Sequence, residues 1–252
     1  MWTDHPSERH MPQLRQLWKI AFGDTDDFLD SFFTTAFSPD RCRCILEEDR
    51  PAAVLYWFDC SVEEKKIGYI YAVATHPDFR GRGFCRRLME DTHALLTARG
   101  YAGAVLVPQK ESLRKMYAGM GYRDCGGLDT ITCSAGETPV FIRAIGGAEF
   151  AALRRQLLPE CSVIQEKENL IFLSQQLQFY TGNGFLLAAY AEKEMLHGIE
   201  LLGDASVAPG IVKALNCTGG SFRIPGTAHP FAMFHSLEES CPIPSYFGFA
   251  FD

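Results

Sequence analysis

Long apolar segments are missing from this sequence of 252 residues. No run approaches the roughly 20 apolar residues that a helix needs to cross a bilayer. The first residues also lack a basic start followed by an apolar stretch, which is the pattern of a secretory signal. We therefore expect a cytoplasmic protein that does not bind membranes.

Two further absences narrow the possible functions. Lys and Arg number 24 against 31 Asp and Glu, and the resulting charge of −7 disfavours nucleic-acid binding, which depends on neutralising phosphates. The nine cysteines are odd in number and include no C-x-x-C pair, so the sequence indicates neither a disulfide framework nor a metal site. We expect reduced thiols, no metal and no nucleic-acid partner.

The first half does contain a mixed order of helices and strands. Apolar residues at helical spacing predict two helices, at 12–22 and 26–37. The segments predicted after them are strands at 42–46, 53–58 and 67–74, a helix at 84–99, a strand at 102–107 and a helix at 111–120. The polar tip at 63–66 indicates an antiparallel hairpin. The later strand–helix–strand order predicts an α/β fold (α+β mixed sheet) whose sheet is partly parallel.

The second half starts a similar order again from about Thr138. Leu153–Leu157 is similar to Leu14–Leu17, and residues 170–180 predict an apolar helix. Two more predictions are a hairpin formed by 185–191 with 196–202 and a last strand in the alternating aromatic residues at 246–252. We interpret this order as a degenerate internal repeat and predict two domains, 1–135 and 136–252.

A glycine-rich corner after the third strand is the most specific feature for function. The strand ends near Ala74, Gly81 and Gly83 occupy the turn, and a helix starts at once. Glycines let the backbone approach a ligand closely, and the first amides of a helix are unpaired donors that attract anions. Arginines at positions 80, 82, 86 and 87 add positive charge. A pyrophosphate suits such a corner; a plain strand–turn–helix connection with solvated arginines is the alternative.

The same stretch resembles motif A of the Gcn5-related N-acetyltransferases (GNAT family), whose pattern is Arg/Gln-x-x-Gly-x-Gly/Ala. Arg80 and Gly83 match this pattern, and Cys85 replaces the final small residue. The resemblance implies an acetyl-CoA site in which backbone amides hold the pyrophosphate and a strand edge pairs with the pantetheine arm. The residues implied are Val73, Ala74, Thr75, Arg80, Gly81, Arg82, Gly83, Phe84, Cys85 and Arg86.

Residues 113–122 resemble the family's motif B, in which a tyrosine lies four residues before a Gly-Phe/Tyr pair. Tyr117 takes the place of that tyrosine, while Lys110 stands where the family often has Asn. The resemblance implies that Tyr117 is the catalytic group that protonates the departing coenzyme A thiolate. The alternative is a tyrosine of the apolar core, because Tyr117 shares a helix face with Leu113 and Met120.

The two motifs together imply transfer of an acetyl group from acetyl-CoA to a primary amine by direct attack in a ternary complex. The acceptor would be a small-molecule or peptide amine, and the sequence does not name it. Two alternatives remain open. One is a non-catalytic acyl-CoA-binding or sensor module, and the other is an interaction scaffold that binds no ligand.

The general base is not identified by the sequence. Asp59, Glu63 and Glu64 lie in or near the first hairpin, although exposed carboxylates at a turn are the simpler interpretation. Direct transfer needs no nucleophile, so Cys85 is interpreted as a small packing residue. The second half has no comparable corner, because its turn at 203–210 carries no arginine and includes Pro209. We therefore predict a tandem arrangement of the GNAT fold that the resemblance implies, with an acetyltransferase domain at 1–135 that carries the acetyl-CoA site and a degenerate GNAT-like domain at 136–252.

Overall fold

The computed structural model describes residues 2–250, and the chain divides into two compact units. Unit 1 comprises the residues up to Arg123 together with Phe234–Cys241. Unit 2 comprises Asp124–Met233 and the residues from Pro242 onward. Within the described residues the longest helix has 15 residues, and no helix is long and apolar enough to cross a membrane.

Unit 1 has the predicted mixture of helices and strands. Its helices are α1 (Met11–Phe22), α2 (Asp26–Thr35), α3 (Phe84–Ala98) and α4 (Glu111–Ala118), and its strands are β1 (Trp2–Asp4), β2 (Cys42–Glu47), β3 (Arg50–Val62), β4 (Lys65–Thr75) and β5 (Gly103–Leu106). The helix ends follow local chemistry. Gly23 ends α1 in the left-handed conformation, with φ of 79°. The Thr25 side chain begins α2 by accepting a hydrogen bond from the Phe28 amide at 3.2 Å.

Helices α1 and α2 contact the β3–β4 hairpin through an aromatic core. The Trp18 ring lies 4.6 Å from that of Phe32 and 5.1 Å from that of Tyr56, measured between centroids. All three side chains are buried. Burying an aromatic side chain of this size stabilises a fold by roughly 1.5–3 kcal/mol, so this cluster accounts for the attachment of both helices to the sheet.

The sheet of unit 1 has the order β1-β2-β3-β4-β5. Strands β1 to β4 are antiparallel neighbours, whereas β4 and β5 are parallel and are joined through α3. The predicted hairpin and the predicted crossover are therefore both confirmed. The mixed α/β class is confirmed with them.

Unit 2 also contains helices. They are α5 (Gly147–Leu157), α6 (Glu168–Leu173) and α7 (Ala208–Ala214). The strands are β6 (Arg123–Ser134), β7 (Ile142–Ile145), β8 (Val163–Gln165), β9 (Gln178–Gly182), β10 (Phe185–Glu192), β11 (Met195–Gly203), β12 (Gly219–Pro225) and β13 (His229–Ser236). The last residues of β13, from Phe234, belong to unit 1.

The strand order of unit 1 occurs again in unit 2, as β7-β9-β10-β11-β12. The last two strands are again parallel and joined through a helix, here α7. The repeated order seen in the sequence is thus present in the strand pairing. That both units are acetyltransferase-like domains, with a boundary at 135/136, stays a prediction.

Two predictions in the second half are wrong. The helix expected at 170–180 ends at Leu173, and residues from Gln178 form β9, which pairs with β10. Short apolar runs suit both structures, and hairpin pairing decides between them. The strand expected at 246–252 is also absent among the described residues, where Tyr246 makes an isolated bridge to Ser162 and residues 247–250 are irregular. Residues 251 and 252 lie outside the described part of the chain.

Candidate functional site

Strand β4 separates from β5 before it ends. Their parallel pairing ends at Tyr69 and Val105, while β4 continues to Thr75. On the other side of β4 the register with β3 shifts, so that two residues, Ala72 and Val73, lie opposite one residue of β3. Ala72 has a positive φ of 48°. Such a bulge bends a strand and changes the direction of the residues after it. Among the described strands, the part of β4 after Tyr69 is paired with β3 alone.

The turn after β4 leads directly into α3, and we call residues 76–87 the arginine corner. Pro77–Phe79 form one turn of 3-10 helix, and α3 begins at Phe84. The six amides from Gly81 to Arg86 donate to no backbone or side-chain group within residues 2–250. The amide of Arg87 is the first to make an intrahelical bond, to the Gly83 carbonyl at 3.1 Å. The corner therefore offers a row of available donors at the positive end of a helix dipole.

The two glycines of the arginine corner leave its surface open. Gly81 and Gly83 have φ of 74° and 76°, values that residues with a side chain rarely adopt. A Cβ atom placed at either position would meet no heavy atom within 4 Å. No neighbouring group packs where these side chains would be. The two glycines therefore leave the backbone of the corner accessible from solvent.

The four predicted arginines are exposed, and each has a partner in unit 1. The partners are the Thr75 carbonyl for Arg80 (3.2 Å), Glu47 for Arg82 (2.7 Å), the Gly119 carbonyl for Arg86 (3.1 Å) and Asp91 for Arg87 (3.8 Å). These contacts hold the guanidinium groups close to the corner. Two of the four partners are neutral carbonyls, so Arg80 and Arg86 have no carboxylate partner among the described residues.

Arg82 is held on three sides. Its guanidinium lies 5.4 Å from the ring centroid of Phe79 and 4.9 Å from that of Phe84, in addition to the ion pair with Glu47. Cation–π contacts of this kind contribute about 0.5–1 kcal/mol at exposed sites. The other carboxylate oxygen of Glu47, Oε2, is buried and has no partner among the described residues. The sequence did not identify Glu47, which lies at the end of β2.

Tyr117 lies on α4 and is 6% exposed. Burial raises the pKa of its hydroxyl, and the Cys85 thiol adds to this increase. No described residue forms a hydrogen bond with that hydroxyl, and the oxygen is not fully enclosed. Tyr117 on α4 and Cys85 of the arginine corner therefore lie near each other in unit 1. The hydroxyl remains protonated at neutral pH and is available as a donor.

Cys85 is partly buried, and burial raises the pKa of its thiol. A thiol in that state is a poor nucleophile, because the thiolate is the reactive form. Among the described residues no group of three or more His, Cys, Asp or Glu side chains could hold a metal ion.

The acidic residues of the first hairpin lie far from the corner. Asp59 pairs with Gly68, six residues before Ala74 on β4, which is about 20 Å along a strand. The Asp59 carboxylate accepts a hydrogen bond from Tyr101 and lies 3.5 Å from the Lys66 ammonium. Glu63 and Glu64 are further away, at the tip of the hairpin. None of the three is therefore placed to take a proton at the end of β4.

The comparison with protein families follows the same division of the chain. Residues 4–125 match the model of a family described as acetyltransferase (GNAT) domain. This segment includes β4, the arginine corner and α4. None of the curated proteins compared with the chain is a match.

Several solved structures resemble nearly the whole chain. A GCN5-related N-acetyltransferase from Anabaena variabilis has a TM-score of 0.74 at 13% identity, covering 94% of this chain and 73% of its own. One from Kribbella flavida has a TM-score of 0.73 at 13% identity, covering 97% and 74%. A putative acetyltransferase from Pyrococcus horikoshii has a TM-score of 0.64 at 11% identity, covering 100% and 95%. At these identities the likeness concerns the fold alone.

Proposed function

We propose that this chain, which belongs to the Gcn5-related N-acetyltransferase family through residues 4–125, moves the acetyl group of acetyl-CoA to a primary amine. The observation that carries the proposal is the row of amides from Gly81 to Arg86, which have no hydrogen-bond acceptor among the described residues. These amides lie between the end of β4 and the first turn of α3. The proposal includes a cytoplasmic location and a small-molecule or peptide amine as acceptor.

The arginine corner would hold the pyrophosphate of the co-substrate. Backbone amides at a helix start bind phosphate oxygens without needing a particular side chain, so the replacement of the usual small residue by Cys85 leaves the donors intact. Arg80 and Arg86, whose charges are not compensated by a carboxylate, would add electrostatic attraction. The edge of β4 at Val73, Ala74 and Thr75 would pair with the pantetheine arm, as an added strand does.

In the proposed reaction the amine nitrogen attacks the thioester carbonyl carbon, the carbon–sulfur bond breaks, and coenzyme A leaves as a thiolate. The amine loses one proton and the thiolate takes up one. A primary amine with a pKa of ~10 is mostly protonated at neutral pH, so it must first release a further proton to solvent to become a nucleophile. We assign no side chain to that step, since the hairpin carboxylates lie at the other end of β4.

Tyr117 would act on the leaving group. Its raised pKa keeps the hydroxyl protonated at neutral pH, so it can donate to the developing thiolate. An ordinary thiol has a pKa of ~8.5, so complete transfer of the tyrosine proton runs uphill. We therefore expect the main contribution to be a hydrogen bond that strengthens as the carbon–sulfur bond breaks.

The test is a panel of amines assayed for coenzyme A release, with wild type and Tyr117→Phe. We expect the variant to lose at least about tenfold in kcat, because a positioned proton donor contributes 10²–10⁴-fold and solvent replaces it in part. The affinity for coenzyme A, measured by calorimetry, should change less than twofold. Tyr190→Phe removes the hydroxyl of an exposed tyrosine in unit 2 and should leave both quantities unchanged.

The rival functions give different results in the same experiment. Coenzyme A binding without release for any amine would support an acyl-CoA-binding module. Absence of both binding and release would support a scaffold and would refute the proposed site.

A further inference from the structure

Part of unit 1 comes from the far end of the sequence. Phe234–Cys241 is separated from the rest of the unit by unit 2. The Phe234 ring occupies the space above Gly103 of β5, where a Cβ atom would lie 2.2 Å from it. The amides of Leu237 and Glu238 both donate to the Ala102 carbonyl, at 2.9 and 3.0 Å. The segment is therefore fitted to unit 1 by packing and by backbone hydrogen bonds.

His235 places an imidazole within a cluster of rings. It stacks on His93 of α3, with centroids 4.4 Å apart and planes 11° from parallel. It also lies 5.3 Å from the ring of Tyr122. A Cβ atom at Gly121 would lie 3.0 Å from the His235 ring, so the turn after α4 is shaped around this side chain.

The cluster reaches Tyr117 through Tyr122. The rings of the two tyrosines lie 5.8 Å apart in an edge contact, and the Tyr122 amide donates to the Tyr117 carbonyl at 3.1 Å. The buried Tyr122 hydroxyl lies 2.8 Å from Nε2 of His93. A chain of direct contacts thus runs from His235, through Tyr122 and His93, to the end of α4 that carries Tyr117.

The proton positions in this chain follow from burial. Burial, and to a lesser extent His235, lowers the pKa of His93 to about 3, so its imidazole is neutral at ordinary pH. Burial raises the pKa of Tyr122, so its hydroxyl keeps its proton and can donate to Nε2 of His93. The titratable groups that face His93 from other elements are Tyr122 and His235. Protonation of His93 would remove Nε2 as an acceptor, so the Tyr122 hydroxyl could no longer donate to it.

We propose that His235 is a positioning residue for acyl transfer: it covers the His93–Tyr122 hydrogen bond and thereby fixes the end of α4 from which Tyr117 acts. This inference rests on the proposed function. It implies that the first half of the sequence requires Phe234–Cys241 for full activity. Nδ1 of His235 is buried and has no partner among residues 2–250, so the ring itself, rather than its nitrogens, should matter.

The test compares three variants of the full chain at pH 8. His235→Ala should lower kcat about tenfold or more, while the affinity for coenzyme A changes less than twofold, since the arginine corner is untouched. His235→Phe keeps a flat ring of similar size and should restore kcat to within about twofold to threefold of wild type. His229→Ala removes an exposed histidine from the same strand and should match wild type.

A pH profile separates positioning from a general structural role. Removing the His235 ring hydrates His93, so its pKa should return towards its ordinary value of 6.5. The kcat of His235→Ala relative to wild type should therefore fall further between pH 8 and pH 5.5. The same ratio for His235→Phe should stay constant over this range.

The outcomes are distinct. If the wild type releases coenzyme A and His235→Ala has the same kcat, this inference is wrong and the proposed function stands. Wild type without activity towards any amine would overturn both. If His235→Ala does not fold, Tyr122→Phe takes its place, because it removes only the hydroxyl that is bonded to His93. A lowered kcat at unchanged coenzyme A affinity would then support the inference. An unchanged kcat would refute it.

Discussion

The two units contain the same corner with opposite electrostatics. In unit 1 the arginine corner has six amides that donate to no group in the described part of the chain, and arginines surround them. In unit 2 the corresponding turn, which we call the aspartate corner (residues 203–210), supplies its own anion. The Asp204 carboxylate accepts from the Ser206 amide at 2.9 Å, and hydrogen bonds from Ser206 lower the pKa of that carboxyl. In the aspartate corner a carboxylate of the chain thus already accepts from one of the amides, whereas no described carboxylate accepts from the amides of the arginine corner.

A second difference lies on the strands that lead into these corners. In β4 the first paired residue after the bulge is Ala74, opposite Val54. In β11, which also has a register shift, the corresponding residue is Glu200, opposite Ala188. The Glu200 side chain is fully buried and accepts from Arg154 at 2.6 and 2.9 Å and from Tyr246 at 3.1 Å. In unit 2 a buried glutamate and its partners thus occupy the position at which unit 1 has the small side chain of Ala74.

The comparison teaches that a shared topology does not by itself make a binding site. Both units have a strand with a register shift, a turn and a helix, but α7 has seven residues and α3 has fifteen. Pro209 is tolerated at the start of α7 because the first amides of a helix need no intrahelical partner. We therefore expect coenzyme A to bind unit 1 alone.

The largest expected effect concerns the buried ion pair of unit 2. Arg154→Met should lower the free energy of unfolding by about 3–5 kcal/mol, because Glu200 would remain buried without its countercharge. Urea denaturation of the full chain measures this. Arg155→Met, which breaks an exposed pair with Glu166, should have little effect.

The double variant Arg154→Met/Glu200→Leu sharpens this test. A buried ion pair can often be replaced by apolar residues without loss of stability, so we expect the double variant to recover most of the lost stability. Equal destabilisation by both variants would mean that the packing of the Arg154 side chain, rather than the pairing of charges, holds this part of unit 2 together.

The next effect concerns the open surface of the arginine corner. Gly83→Val should weaken coenzyme A binding by about 100-fold, because a branched side chain would both fill the open space and strain a residue with positive φ. Isothermal titration calorimetry measures the change. Gly184→Val is the matched control: Gly184 has φ of 78° and equally open space, but it lies in a hairpin turn of unit 2.

Both glycine variants should lower stability to a similar degree, and Gly83→Val alone should weaken binding. Similar affinities for coenzyme A in the two variants would contradict the assignment of the site to the arginine corner.

The smallest effect concerns the ion pair between Glu47 and Arg82. Glu47→Gln should strengthen coenzyme A binding about twofold to fivefold at low salt, because Arg82 would be released to face the bound anion. The gain should decrease as salt screens the charges. Asp78→Asn removes one negative charge from the same corner but does not release Arg82. If Asp78→Asn strengthened coenzyme A binding equally, the change in net charge alone would explain the effect.

Much of unit 1 could be predicted from the sequence. The hairpin, the crossover through α3 and the place of the corner follow from local patterns, since each depends on residues within a few turns of one another. The helix expected at 170–180 could not be assigned correctly, because residues 178–182 become a strand only by pairing with β10. The terminal aromatics alternate like a strand, yet Phe247 and Phe249 are buried in irregular chain.

Parts of the candidate site also depended on distant contacts. Glu47 lies 35 residues before Arg82, and its sequence context at the end of a strand does not distinguish it from any other surface carboxylate. His235 follows Tyr122 by 113 positions, and no local pattern in β13 relates the two. The arginines were predicted as a group, but the partner of each one was not.

The sequence by itself determined the place of the glycine turn, the arginines and the helix start, because these features depend on the backbone that the residues themselves occupy. Tertiary structure alone decided which arginine of the corner pairs with a distant carboxylate and where the register of β4 and β11 shifts. It also decided that the ring of His235 packs against Tyr122. The physical reason is range: backbone conformation and capping depend on neighbours in the chain, whereas burial, ion pairing and ring stacking depend on segments that only folding brings together.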